Sequence, residues 1–239
     1  MNPIIELNNW SVGYVDEPIV RGVNLAIEQG TITTLMGGNG AGKSTLLKSV
    51  FGIGKRFDGS IAFAGKDITD TTPEQRLMGG LALVPQGRCN FPAMTVAENL
   101  LMGGYTLSRQ EREAAIRRAT DQFPMLKAKW NVPVGYLSGG QQQIIEIAMA
   151  LMLKPRVLLL DEPTLGLAPM MMREIFETVQ EIAARGVTVI IAEQNVMGAL
   201  QFSDRAIVLE MGTLAVDGPA KTVLADPRVR VAYLGEEAA

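Results

Sequence analysis

The chain has 239 residues, with 22 Lys and Arg against 25 Asp and Glu for a net charge of −3, one cysteine and no histidine. That length suits one α/β domain with an appended lobe, and surface scaling lets it bury around 70% of the unfolded chain's surface without disulfide or metal staples. Mild acidity with no long basic run argues against bulk binding to nucleic acid, the lack of histidine removes histidine-based catalysis and metal ligation, and Cys89 cannot form an internal disulfide.

The start MNPIIELNNW lacks the basic-then-apolar pattern of a signal peptide, and the longest apolar runs fall far short of the ~20 residues that cross a bilayer. A reducing cytoplasm is the expected setting, with membrane association only through a partner.

In chain order, IIEL, VNLAI and TITTLM read as strands, the last running into glycines. Ser44 to Phe51 carries a helical pattern that Gly52 is placed to end. SIAFA from Ser60 and LALV from Leu81 are further strands, after which the β signal lapses until Val157. Within that interval Thr95 with Glu98, and Ser108 with Glu111, have the S/T-x-x-E spacing of capping boxes and predict two helix starts. The second helix, RQEREAAIRRATDQ, has the charge of a solvated face. VLLL from Val157 is continuously apolar, as a central parallel strand covered on both faces should be. Pro169 to Arg185 is predicted helical, with Met172, Ile175, Val179 and Ile182 on one stripe, and VTVII, AIVL and TLAV supply three more strands. The EEAA tail looks disposable. The expected division is one nucleotide-binding α/β core, 1–86 and 156–239, with a helical lobe, 87–155, inserted into it.

Gly37, Gly42, Lys43 and Ser44 match G-x-x-x-x-G-K-[ST], a string that composition alone produces in roughly one chain in a hundred of this length. Its place between a strand and a helix strengthens it, because backbone N–H groups and the positive helix end then converge on phosphates. The loop Gly37, Gly38, Asn39, Gly40, Ala41, Gly42 is thus the candidate phosphate cradle. Lys43 would reach the β and γ phosphates, Ser44 would ligate Mg²⁺, and Thr45 would hold the α phosphate. Gly38 loosens this loop.

Asp161 and Glu162 follow VLLL at the carboxyl edge of the sheet, where open α/β sheets bind ligands. Adjacent strand residues point opposite ways, so Asp161 is expected to face Mg²⁺ and Glu162 the attacking water. LSGGQ at Leu137 to Gln141 is far rarer by chance, something like one chain in several thousand. Ser138 is a natural N-cap, and Gly139 and Gly140 expose backbone donors ahead of the helical QQQIIEIAMALML. Two half-sites for one triphosphate imply two chains meeting head to tail, each phosphate loop facing the other's Ser138–Gln141.

These residues resemble the ATP-binding-cassette (ABC) ATPases: GGNGAGKST, VPQGR, LSGGQQQ and VLLLDEPT occur in that family's order and at its spacings over essentially the whole chain. The resemblance implies a P-loop core with a mainly parallel sheet, an N-terminal antiparallel β subdomain and the helical subdomain. It also implies that Tyr14 stacks on adenine and that Gln86 links Mg²⁺ and the attacking water to the lobe. Gln142 and Gln143 read as polar residues at the core edge. Two positions depart from the family's common pattern: Ala168 replaces an aspartate, and Gln194 replaces a switch histidine. Gln194 can still donate to a γ phosphate but cannot titrate near neutral pH.

GLAP, AEQN, the run QGRCNFPAMTVAENLLMGG and the ending VRVAYLG are similar to the ATPases of branched-chain amino-acid importers and their relatives for urea and amides. The partners so implied are two transmembrane permease subunits, a second ATPase subunit, identical or a paralogue, and indirectly an external solute-binding protein. The place implied is the cytoplasmic face of the bacterial inner membrane. Phe91 and Met94, in the loop after Gln86, are the expected joint to the membrane subunits. Alternatives are a soluble ABC ATPase of DNA repair or translation, a small-molecule kinase using the same loop, and an inactive regulator. The absence of long coiled coils or a second cassette, the LSGGQ run and the intact Glu162 weigh against them respectively.

Overall fold

The structure, a computed structural model, describes residues 3–226 and 229–230. The EEAA tail and most of VRVAYLG lie outside the described residues. The N-terminal part runs β1 (Ile5–Gly13), β2 (Pro18–Ile27), β3 (Ile32–Met36), α1 (Lys43–Val50), β4 (Lys55–Phe63), β5 (Lys66–Asp67), α2 (Pro73–Gly79) and β6 (Leu81–Val84). Then come α3 (Val96–Gly103), α4 (Arg109–Gln122), α5 (Pro124–Ala128), a 3₁₀ turn (Val134–Tyr136) and α6 (Gly139–Leu151). The last part is β7 (Val157–Asp161), α7 (Pro169–Ala184), β8 (Thr188–Ala192), α8 (Val196–Leu200), β9 (Arg205–Glu210), β10 (Thr213–Pro219) and α9 (Ala220–Ala225).

A four-stranded antiparallel sheet has the order β2-β1-β4-β5, and a six-stranded sheet the order β10-β9-β3-β8-β7-β6. All neighbours in the second are parallel except β9 and β10. Every residue of β3, β7 and β8 is buried, which is why these strands read as unbroken apolar runs. Alternate residues feed two cores: Val157 and Leu159 face the antiparallel sheet and α1, while Leu158 and Leu160 face α6 and α7. Each such buried leucine contributes about 2 kcal/mol. Because the lobe residues Leu100, Phe123, Ile144 and Ile145 join the second core, the lobe shares its apolar packing with the main sheet.

Several elements differ from the sequence reading. β1 continues through NNWSVG to Gly13, and its ladders shift register between Leu7 and Trp10 on one side and between Asn8 and Ser11 on the other. Asn9 sits there at φ 48°, anchored by Asp58 at 2.7 Å and by the Asn24 side chain at 2.9 Å, so a bulge hides the strand's alternation. β2 and β4 likewise extend beyond VNLAI and SIAFA. Helix α2 was not anticipated, although Thr72 and Gln75 form a capping box with Pro73 at its start. Its one buried residue, Arg76, donates to Ser49 O, Val50 O, Ile68 O, Thr69 O and Thr71 Oγ1. A cation at the carboxyl end of α1 complements that helix's dipole, and Trp10 Nε1 ties the same turn by donating to Ser49 Oγ at 2.9 Å. The helix that begins at the phosphate loop is thus fastened at its far end.

In the lobe both expected capping boxes form, at Thr95 with Glu98 and at Ser108 with Glu111. Helix α4 buries only Ala115 and Ala119, and its charges face solvent apart from Arg112, which is half-buried and donates to Leu107 O at 3.0 Å. Helix α7 follows its expected span, with Ile175, Val179 and Ile182 buried and Met172 half-buried.

Candidate functional site

At the end of β3 the chain takes up backbone conformations that favour glycine, with φ of 152° at Gly37, 78° at Gly40 and 101° at Gly42. A Cβ at Gly37 would lie 2.5 Å from Leu209 O and 2.9 Å from Ala41 Cβ, so the cradle closes only around glycine. Ala41 N donates to Gly38 O at 3.1 Å, while Gly38, Asn39 and Gly40 face solvent. Gly42 is the N-cap of α1 and supplies no side-chain cap, and the first turn holds no acid. The first-turn amides of Lys43, Ser44 and Thr45 are therefore open to an anion. Lys43, 5% exposed, folds back over the loop, its Nζ donating to Gly37 O at 2.8 Å and Gly38 O at 3.2 Å.

Ser44 Oγ donates to Asp161 Oδ1 at 2.7 Å, joining the start of α1 to the last residue of β7. Lys48, one turn along the same helix face, places Nζ 3.1 Å from Asp161 Oδ2. That ion pair is close but misaligned, and Oδ2 is buried without a hydrogen bond. Glu162 turns the chain out of the sheet at φ 50°, a left-handed conformation that costs a non-glycine residue about 1–3 kcal/mol. Its N–H donates to Ala192 O at 2.8 Å, and its Oε2 accepts from Gln86 Nε2 at 2.9 Å. The ends of β6, β7 and β8 thus converge beside the glycine loop.

Glu193 completes this edge. It is 2% exposed; Oε1 accepts from Thr164 N and Oγ1 at 3.1 and 2.7 Å, and Oε2 from Gln194 N and Asn195 N at 3.1 and 3.3 Å. Burial pushes its carboxyl above the usual range, and these four donors oppose that shift. The carboxyl locks the turn after Glu162 to the turn bearing Gln194, whose own side chain is exposed and makes no hydrogen bond among the described residues. Tyr14 is 48% exposed between β1 and β2, and β2 passes the loop where a Cβ on Gly42 would be 3.2 Å from Val20 Cγ2.

Ser138 to Gln141 open α6 through a capping box: Gln141 N donates to Ser138 Oγ at 3.3 Å, and Ser138 N to Gln141 Oε1 at 3.1 Å. A Cβ at Gly140 would lie 2.1 Å from Met171 Cε, so the helix start packs tightly on α7. Gln142 is buried and donates to Leu137 O at 2.9 Å. Among the described residues no hydrogen bond joins Ser138–Gln141 to the group around Lys43 and Asp161. The helix starts of α1 and α6 are thus separate within this chain.

Residues 20–165, more than half of the chain, match the family described as ABC transporter. The chain belongs to the ABC transporter ATP-binding family. Its members are ATPases, and this cassette is a transporter's nucleotide-binding ATPase. Residues 216–239 match a second description, branched-chain amino acid ATP-binding cassette transporter. The cassette is 41% identical over 232 residues to the high-affinity branched-chain amino acid transport ATP-binding protein BraG of Pseudomonas aeruginosa, covering 97% of this chain and 100% of that one. It is also 32% identical to the lipopolysaccharide export system ATP-binding protein LptB of Acidithiobacillus ferridurans, with 99% of each chain covered. A nucleotide-free ATP-binding cassette from an ABC transporter superposes with a TM-score of 0.87 at 31% identity, covering 98% of this chain and 100% of that one.

The sequence reading missed Lys48 and Glu193. For Lys48 a signal existed, its i+4 spacing from Ser44. Glu193 stands next to Gln194 in AEQN, but its partner Thr164 is 29 residues away and only the fold pairs them.

Proposed function

We propose that the cassette drives import of branched-chain amino acids or a closely related small solute. The observation that carries this is the match of its carboxyl-terminal residues 216–239 to the branched-chain amino acid cassettes, a more specific likeness than the full-length similarity to an exporter's ATPase. The core, 1–86 and 156–239, binds and hydrolyses ATP, and the lobe, 87–155, presents the signature Ser138–Gln141 to a second ATPase subunit. Two permease subunits hold the pair at the cytoplasmic face of the inner membrane, and an external solute-binding protein delivers the solute. Nucleic acid has no part. No helix among the described residues is long and apolar enough to cross a membrane.

Lys43 and the amides of Gly37 to Thr45 bind the phosphates, and Tyr14 stacks on adenine. Ser44, Asp161 and Gln86 would hold Mg²⁺. Their oxygen donors suit that hard cation, and Asp161 Oδ2 is buried beside Lys48 without a hydrogen bond of its own. When bound, Mg²⁺ neutralises charge on the phosphates. Glu162, already held by Gln86, accepts the proton of the attacking water, and Gln194 donates to the γ phosphate.

The test is the transporter reconstituted in vesicles with Glu162→Gln. ATP binding persists, while hydrolysis falls by about 10²–10⁴, the usual range for a general base, and leucine uptake stops with it. Hydrolysis at the wild-type rate would refute the role of Glu162. Wild-type ATPase activity without uptake of leucine, isoleucine or valine would refute the branched-chain reading, and without uptake of urea or amides as well, the whole solute class.

A further inference from the structure

The loop leaving β6 is bound on two sides before it reaches Thr95. On one side stands Glu146, two turns into α6 and 5% exposed. Its Oε1 accepts from Cys89 N at 2.9 Å and from Asn90 Nδ2 at 2.6 Å, and Asn90 is itself buried. Its Oε2 is buried with no hydrogen-bond partner, so the loop supplies every hydrogen bond this carboxyl makes. On the other side Asn99 of α3 accepts from Phe91 N at 2.8 Å and donates to Phe91 O at 3.0 Å.

Arg88 extends the contact toward the helix start: a Cβ on Gly139 would lie 3.5 Å from its Nη2. Residues 88–90 therefore lie along the first two turns of α6, about 10 Å at 1.5 Å per residue. A carboxyl in such a place lowers stability unless it is hydrogen-bonded, a cost that an apolar side chain would not carry. Burial raises the Glu146 pKa, opposed by Asn90, Cys89 and Arg88. Packing alone does not account for a glutamate here.

We propose that Glu146 is a positioning residue that straps the loop following Gln86 to the signature helix of its own chain. A displacement of Gln86 then reaches Ser138–Gln141 as a shift of the whole helix. This rests on the roles given above to Gln86 and to the signature.

The test compares Glu146→Ala, Asn90→Ala, their combination and Glu146→Gln in the assembled transporter in vesicles. Each alanine variant lowers kcat for ATP about tenfold, the size of one charge-assisted hydrogen bond, with KM and nucleotide affinity unchanged. The combination is no worse than Glu146→Ala alone, because that variant already removes both hydrogen bonds of the strap, including the one that Asn90→Ala cuts. Glu146→Gln keeps an acceptor for Cys89 and Asn90 and stays within about twofold of wild type. Additive losses, or Asn90→Ala turning over normally, would overturn the strap, and the second outcome decides even if Glu146→Ala fails to fold. Glu162→Gln in the same vesicles separates the two levels. If it still hydrolyses ATP, the assigned hydrolytic site is wrong. If it does not and the strap variants behave as wild type, the strap alone is wrong.

Discussion

Removing the Glu193 carboxyl with Glu193→Ala would leave three backbone donors, Thr164 N, Gln194 N and Asn195 N, without their acceptor. The Thr164 hydroxyl can rotate to a new partner, but the amides cannot. A buried donor left unmet costs about 1–3 kcal/mol, so even with water admitted to part of the gap the loss should be about 3 kcal/mol or more. The measurement is urea unfolding of the variant beside wild type, read as a lowered midpoint at unchanged slope. A second readout uses pH. Because burial raises the Glu193 pKa, the native state holds its proton more tightly than the unfolded chain does. Its contribution is therefore full below the ordinary value of 4.5 and is lost as pH rises through the raised one. Glu193→Ala should flatten that slope as well as lower the curve. A loss below about 1 kcal/mol would refute the view that this carboxyl locks the two turns together.

Gln194→Ala should lower ATP turnover about a hundredfold, as loss of one transition-state donor does, with nucleotide affinity kept; unchanged single-turnover rates would return Gln194 to the loop. Phe91 is 40% exposed and Met94 half-buried, so Phe91→Glu with Met94→Glu should leave ATP hydrolysis intact while solute uptake and co-purification with the membrane subunits fall together. If both stay normal, the joint lies elsewhere. Hydrogen bonds from Thr95 and Ser108 hold Glu98 and Glu111 below the usual carboxylate range. Their capping boxes should thus support the lobe above pH 4.5 and weaken as pH falls through the depressed values. Glu98→Gln with Glu111→Gln should flatten that acid slope in amide exchange of α3 and α4, and an unchanged slope would show that the boxes do not report on lobe stability.

The sequence by itself determined whatever is local. The run Ile32 to Val50 is one strand–loop–helix unit in which Gly37, Gly40 and Gly42 are needed by their own backbone angles, and Thr95, Ser108 and Ser138 cap helices through residues three positions on. Covered strands such as Val157–Asp161 announce themselves because both faces must be apolar. Tertiary structure alone decided the rest. Ser44 meets Asp161 across 117 positions, Gln86 meets Glu162 across 76, and Asn90 meets Glu146 across 56. The bulge at Asn9 likewise depends on Asp58 in another strand. A hydrogen bond between distant side chains leaves no periodicity and no spacing to read, because what brings its ends together is the packing of the sheet between them.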